Sequence, residues 1–190
     1  MTDGSRRLVV GISGASGAIY GIQALKMLRA VKIETHLVMS RSAQLTVRLE
    51  TDLEPSDVAN LADVVYAQGD IAAAISSGSF RTMGMLVAPC SIRTLGEIAT
   101  GTTSSLLSRA ADVTLKERRR LVLMVRETPL HLGHLRAMTA VTEYGAVVFP
   151  PLPAFYSNPK SIEDIVYQSV GRALDLFGLD CSGVRRWKEV

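Results

Sequence analysis

The chain has 190 residues, 47% of them hydrophobic and 21% charged, with a mean hydropathy of +0.22. That composition buries enough apolar surface to offset ordering entropy, which excludes intrinsic disorder, and the length suits one domain over residues 1–190. Lys and Arg number 21 against 18 Asp and Glu, a net charge of +3 that is too small and too dispersed to predict a nucleic-acid partner.

In chain order, Arg7 to Ile12 (RLVVGI) is a short, β-branched apolar run that predicts a central strand. A turn at Ser13 to Gly17 leads into a helix over Ala18 to Ala30, where Ile19, Ile22, Leu25, Met27 and Leu28 recur at near-helical spacing. Ile33 to Met39 returns to a strand pattern. Helices are predicted at Ser42 to Glu50 and Ser56 to Val65, and Ala67 to Phe80 reads as a loop on the rim. A strand at Met85 to Ala88 precedes helices at Leu95 to Ala99 and Ser104 to Glu117. Leu121 to Val125 is a strand followed by a helix near His131 to Glu143. Ala146 to Phe149 is a strand followed by an amphipathic helix over Ile162 to Phe177.

Strands alternating with helices predict an α/β fold: a three-layer, Rossmann-like or flavodoxin-like parallel sheet with helices on both faces. Such sheets bind ligands at the carboxyl edge of their strands. The prolines of Pro150-Pro151-Leu152-Pro153 must leave the sheet and carry Phe155 and Tyr156 to that edge.

Apolar runs of about 18 residues, the length a spanning helix needs, do not occur. The N-terminal MTDGSRRLVV runs into a strand rather than a signal-peptide core, and Cys90 and Cys181 form neither a CxxC pair nor a zinc spacing. A soluble protein of the reducing cytosol is expected.

Three strand ends carry the chemistry. Gly11-Ile12-Ser13-Gly14-Ala15-Ser16-Gly17 has GxxGxxG spacing, which fits neither the dinucleotide fingerprint nor a Walker A loop. Its small residues suit either a tight turn or a nucleotide or flavin contact, with the next helix offering free amides to a phosphate. Pro89-Cys90-Ser91-Ile92-Arg93-Thr94 repeats the logic, with Pro89 ending the strand. Cys90 is a packing residue or, with no His or Asp near it in sequence, a poorly supported nucleophile. Val125-Arg126-Glu127-Thr128-Pro129 puts a charged pair at the ligand edge. Arg109 and Lys116, two helical turns apart, share a face and can converge. His131 and His134 lack a third ligand and read as surface or capping residues rather than a metal site, and His36 is expected to pack inside its strand.

The blocks GISGASGAIYG (Gly11 to Gly21), ETHLVMSRSA (Glu34 to Ala43), LETD (Leu49 to Asp52), ISSGSF (Ile75 to Phe80), PCSIRTL (Pro89 to Leu95), SRAADVTLKERR (Ser108 to Arg119), VRETPLHLGHLRAM (Val125 to Met138) and PPLPAFY (Pro150 to Tyr156) resemble, in order and over nearly the whole chain, the UbiX flavin prenyltransferase family. Two departures are Arg93, where Lys is common, and Arg120, where Pro usually follows the basic run. The resemblance implies a homo-dodecamer with FMN held at subunit contacts. It implies metal-independent transfer of a dimethylallyl group from dimethylallyl monophosphate to N5 and C6 of reduced FMN, giving prenylated FMN for a UbiD-type decarboxylase.

By the same resemblance Gly14, Ala15, Ser16, Ser40, Ser91, Ile92, Arg93, Thr94 and Arg126 hold FMN. Arg109, Lys116, Tyr156, Arg172 and Trp187 hold the prenyl donor, and Ser16, Glu50 and Glu127 are catalytic. Expelling a phosphate needs cations where negative charge grows, and aromatic faces shield the allylic carbon from water. Tyr156 reads alternatively as a loop aromatic capping the core, and Trp187 as a tail residue docking on a neighbour. The competing functions are an FMN-dependent decarboxylase of an aromatic acid or peptidyl cysteine, and a flavin carrier subunit of a decarboxylase.

Overall fold

The computed structural model describes residues 6–188. Its centre is a six-stranded, all-parallel sheet of β1 (Arg7–Ile12), β2 (Glu34–Met39), β3 (Val64–Tyr66), β4 (Gly84–Cys90), β5 (Arg120–Val125) and β6 (Val147–Val148) in the order β3-β2-β1-β4-β5-β6. Because side chains alternate along a strand, Leu8, Val10 and Ile12 enter one core and Val9 the opposite one, and both faces must be covered. Helices α1 (Ala18–Ala30), α2 (Arg41–Glu50), α3 (Pro55–Ala59) and α7 (Ile162–Asp175) contribute to the first core. Helices α4 (Ile92–Thr100), α5 (Leu106–Lys116) and α6 (Leu132–Glu143) contribute to the second. This is the α/β architecture expected from the alternating pattern.

The helix expected over Ser56 to Val65 is a correction. Only Pro55–Ala59 is helical, and Val64–Tyr66 is the edge strand β3. Asp63 causes the change: its carboxylate accepts the backbone N–H of Thr35 at 2.7 Å and the Thr35 hydroxyl at 2.8 Å, pinning the chain beside β2. Two β-branched residues and a tyrosine then extend along it. Pro89 likewise does not end β4, which continues through Cys90 with a shift of register against β5 between Val87 and Cys90. The rim segment 67–80 contains a 3-10 turn at Ala74–Ser76 and is tied down by Arg119, which donates to the carbonyls of Phe80 and Gly78 at 2.7 and 2.6 Å. His36 is packed as expected, between the Tyr66 hydroxyl and the Glu34 carboxylate, each at 2.9 Å.

A side chain at Gly84, the start of β4, would meet Phe177, just beyond α7. Helix α7 therefore runs back to the amino edge of the sheet, and its first turn stands on the carboxyl side. The tail reverses again: Ser182 and Arg185 bond to Tyr167 and Gln168, so the chain climbs α7 toward its N-terminus. Among the described residues no helix is long and apolar enough to cross a membrane.

Candidate functional site

Strand β1 lies between β2 and β4, and the connections leaving β1 and β4 depart to opposite faces. This is a topological switch point, where a crevice opens beyond the carboxyl ends of the strands. Its floor is tied by Ser13, which is 1% exposed. The Ser13 hydroxyl donates to the carbonyl of Pro89 at 2.9 Å and accepts the N–H of Ser91 at 2.7 Å, joining the loop after β1 to the loop after β4.

A cavity of about 600 Å³ opens above this tie, lined among others by Gly14, Ser40, Ser91, Ile92, Arg93 and Glu127. Two helices start at it. Ser40 caps α2 by accepting the Ala43 N–H, and Ser91 caps α4 by accepting the Thr94 N–H. In α4 the side-chain cap engages only Thr94, which leaves the first-turn amides of Ile92 and Arg93 to the cavity. Gly14 is required by contact rather than by conformation: a Cβ there would lie 2.2 Å from Ser42 Cβ and 3.1 Å from the Ser42 backbone. Gly17 opens α1 at φ 102°, a left-handed conformation that suits glycine.

The free amides expected at the start of α1 are a correction. The Glu50 carboxylate accepts the N–H of Gly17 at 2.7 Å and of Ala18 at 3.2 Å, and also bonds the Ser16 hydroxyl. Burial works against ionisation of Glu50, but the bonds from Ser16, Gly17 and Ala18 and the charge of Arg126 outweigh it and hold the carboxyl below its ordinary value. Glu50 is thus an anionic cap of α1, and Ser16 presents its hydroxyl proton to it. Arg126 follows β5, its N–H bonded to the Cys90 carbonyl at 3.1 Å, and its charge also reaches Tyr20. Burial raises the Tyr20 phenol against that charge.

The residues expected to bind flavin and to carry the acid-base chemistry therefore meet at one strand edge. Those expected to hold the prenyl donor do not join them within one protomer. Arg109 and Lys116 are each paired with a neighbouring carboxylate, Arg109 with Asp112 at 2.8 Å and Lys116 with Glu117 at 2.5 Å. Lys116 ends α5, whose other end adjoins the cavity, so about 15 Å of helix separates them. It lines a different hollow with residues of the 97–103 segment. Arg172 sits in the last turn of α7 and pairs with Asp175, which Arg186 also grips. Tyr156 and Trp187 do meet, edge to face with ring centroids 5.5 Å apart, in a third hollow formed with the tail.

Sequence reasoning passed over Ser13 as a tie, Tyr20, and Gln68, whose side-chain carbonyl accepts the Arg41 N–H at 2.8 Å on the cavity wall. Cys90 is fully buried and its thiol is pushed far up by desolvation, which removes the nucleophile reading. His131 caps α6 by accepting the Gly133 N–H. Among the described residues no three His, Cys, Asp or Glu side chains cluster as metal ligands.

The Flavoprotein family pattern matches residues 1–174. The flavin prenyltransferase UbiX of Thauera aromatica is 59% identical over 181 residues, covering 95% of this chain and 93% of that protein. The flavin prenyltransferase UbiX of Escherichia coli K12 is 61% identical over 175 residues, covering 92% and 93%. Among solved structures, AnUbiX (PadA1) in complex with FMN and dimethylallyl pyrophosphate superposes with a TM-score of 0.96 at 56% identity, over 98% of this chain and 99% of that one. A dodecameric FMN-dependent UbiX-like decarboxylase from Escherichia coli O157:H7 superposes with a TM-score of 0.94 at 50% identity, over 96% and 100%.

Proposed function

The chain belongs to the Flavoprotein family, among its UbiX flavin prenyltransferases, and from that premise we propose that it transfers a dimethylallyl group from dimethylallyl monophosphate to reduced FMN. The observation that carries the reading to this chain's own residues is the cavity between β1 and β4, where the free first-turn amides of Ile92 and Arg93 open at the same carboxyl edge that holds the Glu50 carboxylate, the Ser16 hydroxyl bonded to it and the Arg126 cation. The donor set suits FMN. Hydroxyls of Ser40, Ser91 and Thr94 and amides of Ile92 and Arg93 match a phosphate, and Gly14 with Ala15 lets the backbone approach a flat ring.

Bound reduced FMN supplies the N5 and C6 positions that accept the prenyl carbon atoms. The protein's part is binding and proton control. Glu50, kept anionic by its three hydrogen bonds, orients the Ser16 hydroxyl with its proton held on the Glu50 side. Glu127, on the cavity wall, is the second acid-base group. Arg126 fixes the flavin beside Glu50.

Arg109, Lys116 and Arg172 serve the donor phosphate, with Tyr156 and Trp187 shielding its hydrocarbon from water. Because these residues stand apart from the flavin cavity in one protomer, we place the complete site at subunit contacts of a homo-dodecamer. The dodecameric relative supports this, as do Leu49, Leu132, Leu152 and Phe155, all more than half exposed. Residues 1–190 act as one flavoprotein domain, located in the cytosol, and deliver prenylated FMN to a UbiD-type decarboxylase.

The test is anaerobic. Protein, FMN, a reductant and either dimethylallyl monophosphate or the pyrophosphate are mixed, and the extracted flavin is weighed by mass spectrometry. Gain of one C5H8 unit from the monophosphate is the expected result. Unmodified FMN on folded, flavin-loaded protein overturns the proposal, and carbon dioxide released from an aromatic acid or a peptidyl cysteine in its place would establish a decarboxylase.

A further inference from the structure

We propose that Gln168 is a positioning residue whose side-chain amide clamps the backbone of Arg185 and thereby sets Trp187 against Tyr156. Gln168 lies mid-helix in α7 and is only 4% exposed, where an amide is costly unless fully bonded. Both its functions are used on one tail residue. Nε2 donates to the Arg185 carbonyl at 2.6 Å, and Oε1 accepts the Arg185 N–H at 3.0 Å. The side chain thus acts as a one-residue strand partner, its planar amide setting donor and acceptor side by side to match the N–H and carbonyl of one residue.

The Arg185 carbonyl is also the acceptor for the Tyr156 hydroxyl, at 3.4 Å, and the Arg185 guanidinium donates to the Ser157 carbonyl at 2.9 Å. Arg185 therefore joins three elements: the α7 core through Gln168, the 155–157 turn through its guanidinium, and the tail itself. Two residues later comes Trp187, edge-on to Tyr156. Trp187 is 68% exposed and has little packing of its own. Its placement depends on the backbone that carries it, and that backbone is held from below by Gln168 and by Val184, which fills the space above Gly171. Dispersion alone between two exposed rings would not hold a tail in one geometry against its conformational entropy.

The inference rests on the reading that Tyr156 and Trp187 face the prenyl donor, and the experiment separates the two. Trp187 is the only tryptophan of the chain, so its fluorescence reports the tail directly, without flavin or substrate. Gln168→Leu keeps the volume and removes the amide. Gln168→Glu keeps the acceptor but turns an oxygen toward the Arg185 carbonyl. Both variants should red-shift Trp187 emission and make it more open to acrylamide, with far-ultraviolet dichroism and FMN affinity unchanged. Both should also raise KM for dimethylallyl monophosphate about tenfold, the size of one lost hydrogen-bonded contact.

A space-filling role predicts instead that Gln168→Glu behaves as wild type, and that result overturns the clamp, as does a wild-type Trp187 signal in folded Gln168→Leu. Should Gln168→Leu not fold, Gln168→Asn keeps the amide on a side chain one methylene shorter, out of reach of the Arg185 backbone, and the same signals decide. An unchanged KM in Trp187→Ala would overturn the substrate-facing reading of Trp187. The fluorescence shift in the Gln168 variants would still establish the clamp.

Discussion

The Ser13 hydroxyl and the Ser91 backbone N–H, 78 residues apart in sequence, meet at 2.7 Å, and the same hydroxyl donates to Pro89. Two loops that would otherwise splay at the switch point are thereby fixed relative to each other. The cavity wall rests on that buried hydroxyl together with the Ser13 backbone N–H, which donates to the same Pro89 carbonyl at 3.2 Å.

Ser13→Ala should leave the Ser91 N–H short of a partner, while the Pro89 carbonyl keeps the Ser13 backbone N–H at 3.2 Å. The expected cost is about 1–3 kcal/mol, the usual penalty for unsatisfied buried polar groups. Urea unfolding should show it as a lower midpoint with unchanged slope, and FMN titration as weaker binding. A variant as stable as wild type would show that the tie does not hold the loops.

Gly14→Ala meets Ser42 head-on. With Ser42 Cβ 2.2 Å away and its backbone close behind, α2 must move, and overpacking of this kind costs about 1–3 kcal/mol. The melting temperature should fall, and FMN should bind more weakly than to a Ser16→Ala control.

Glu50→Gln keeps an acceptor for the Gly17 and Ala18 amides but loses the charge. The Glu50 carboxyl sits below its ordinary value in the folded chain. Its contribution is therefore fully present above the unfolded-state value and disappears as pH falls through the lower, folded one. Wild type should lose stability across that acid window, and Glu50→Gln should lose less there while being weaker at neutral pH. Parallel pH dependence of the two unfolding free energies would refute an anionic cap.

Glu127→Gln should bind FMN as wild type does, because among the described residues its carboxylate bonds only the adjacent Thr128 N–H, at 3.0 Å, a contact that an amide oxygen keeps. Turnover should drop by about 10²–10⁴, the range for loss of a general acid or base. Full activity would remove Glu127 from the chemistry.

Both thiols are raised, Cys90 by burial alone and Cys181 by burial together with Asp175 and Asp180. Neither should react with a thiol reagent in the native protein at neutral pH. Both should react once it is unfolded, and rapid native labelling of Cys90 would reopen its reading as a nucleophile.

The strand-and-helix alternation, the two-sided core and the ligand edge were all legible from the chain, because hydrophobic period is a local property that survives in any tertiary context. So were Ser91 and Thr94 as cavity residues, since hydroxyls at the start of a helix that follows an apolar strand can serve as cap and as ligand contact, whereas Ser40 came from the family resemblance alone. The edge strand β3 was not legible, since three residues are too few to show a period, and its existence depends on Asp63 finding Thr35.

Tertiary structure alone decided the partners that lie far apart in the chain. Glu50 reaches the start of α1 from 33 residues away, closing a helix end that the glycine loop by itself presents as open. Gln168 serves Arg185 only because the tail turns back along α7. Local patterning sets what each segment becomes. Sheet order and chain reversal set who meets whom, and hydrogen bonds, which need partners within about 3 Å, register only the second.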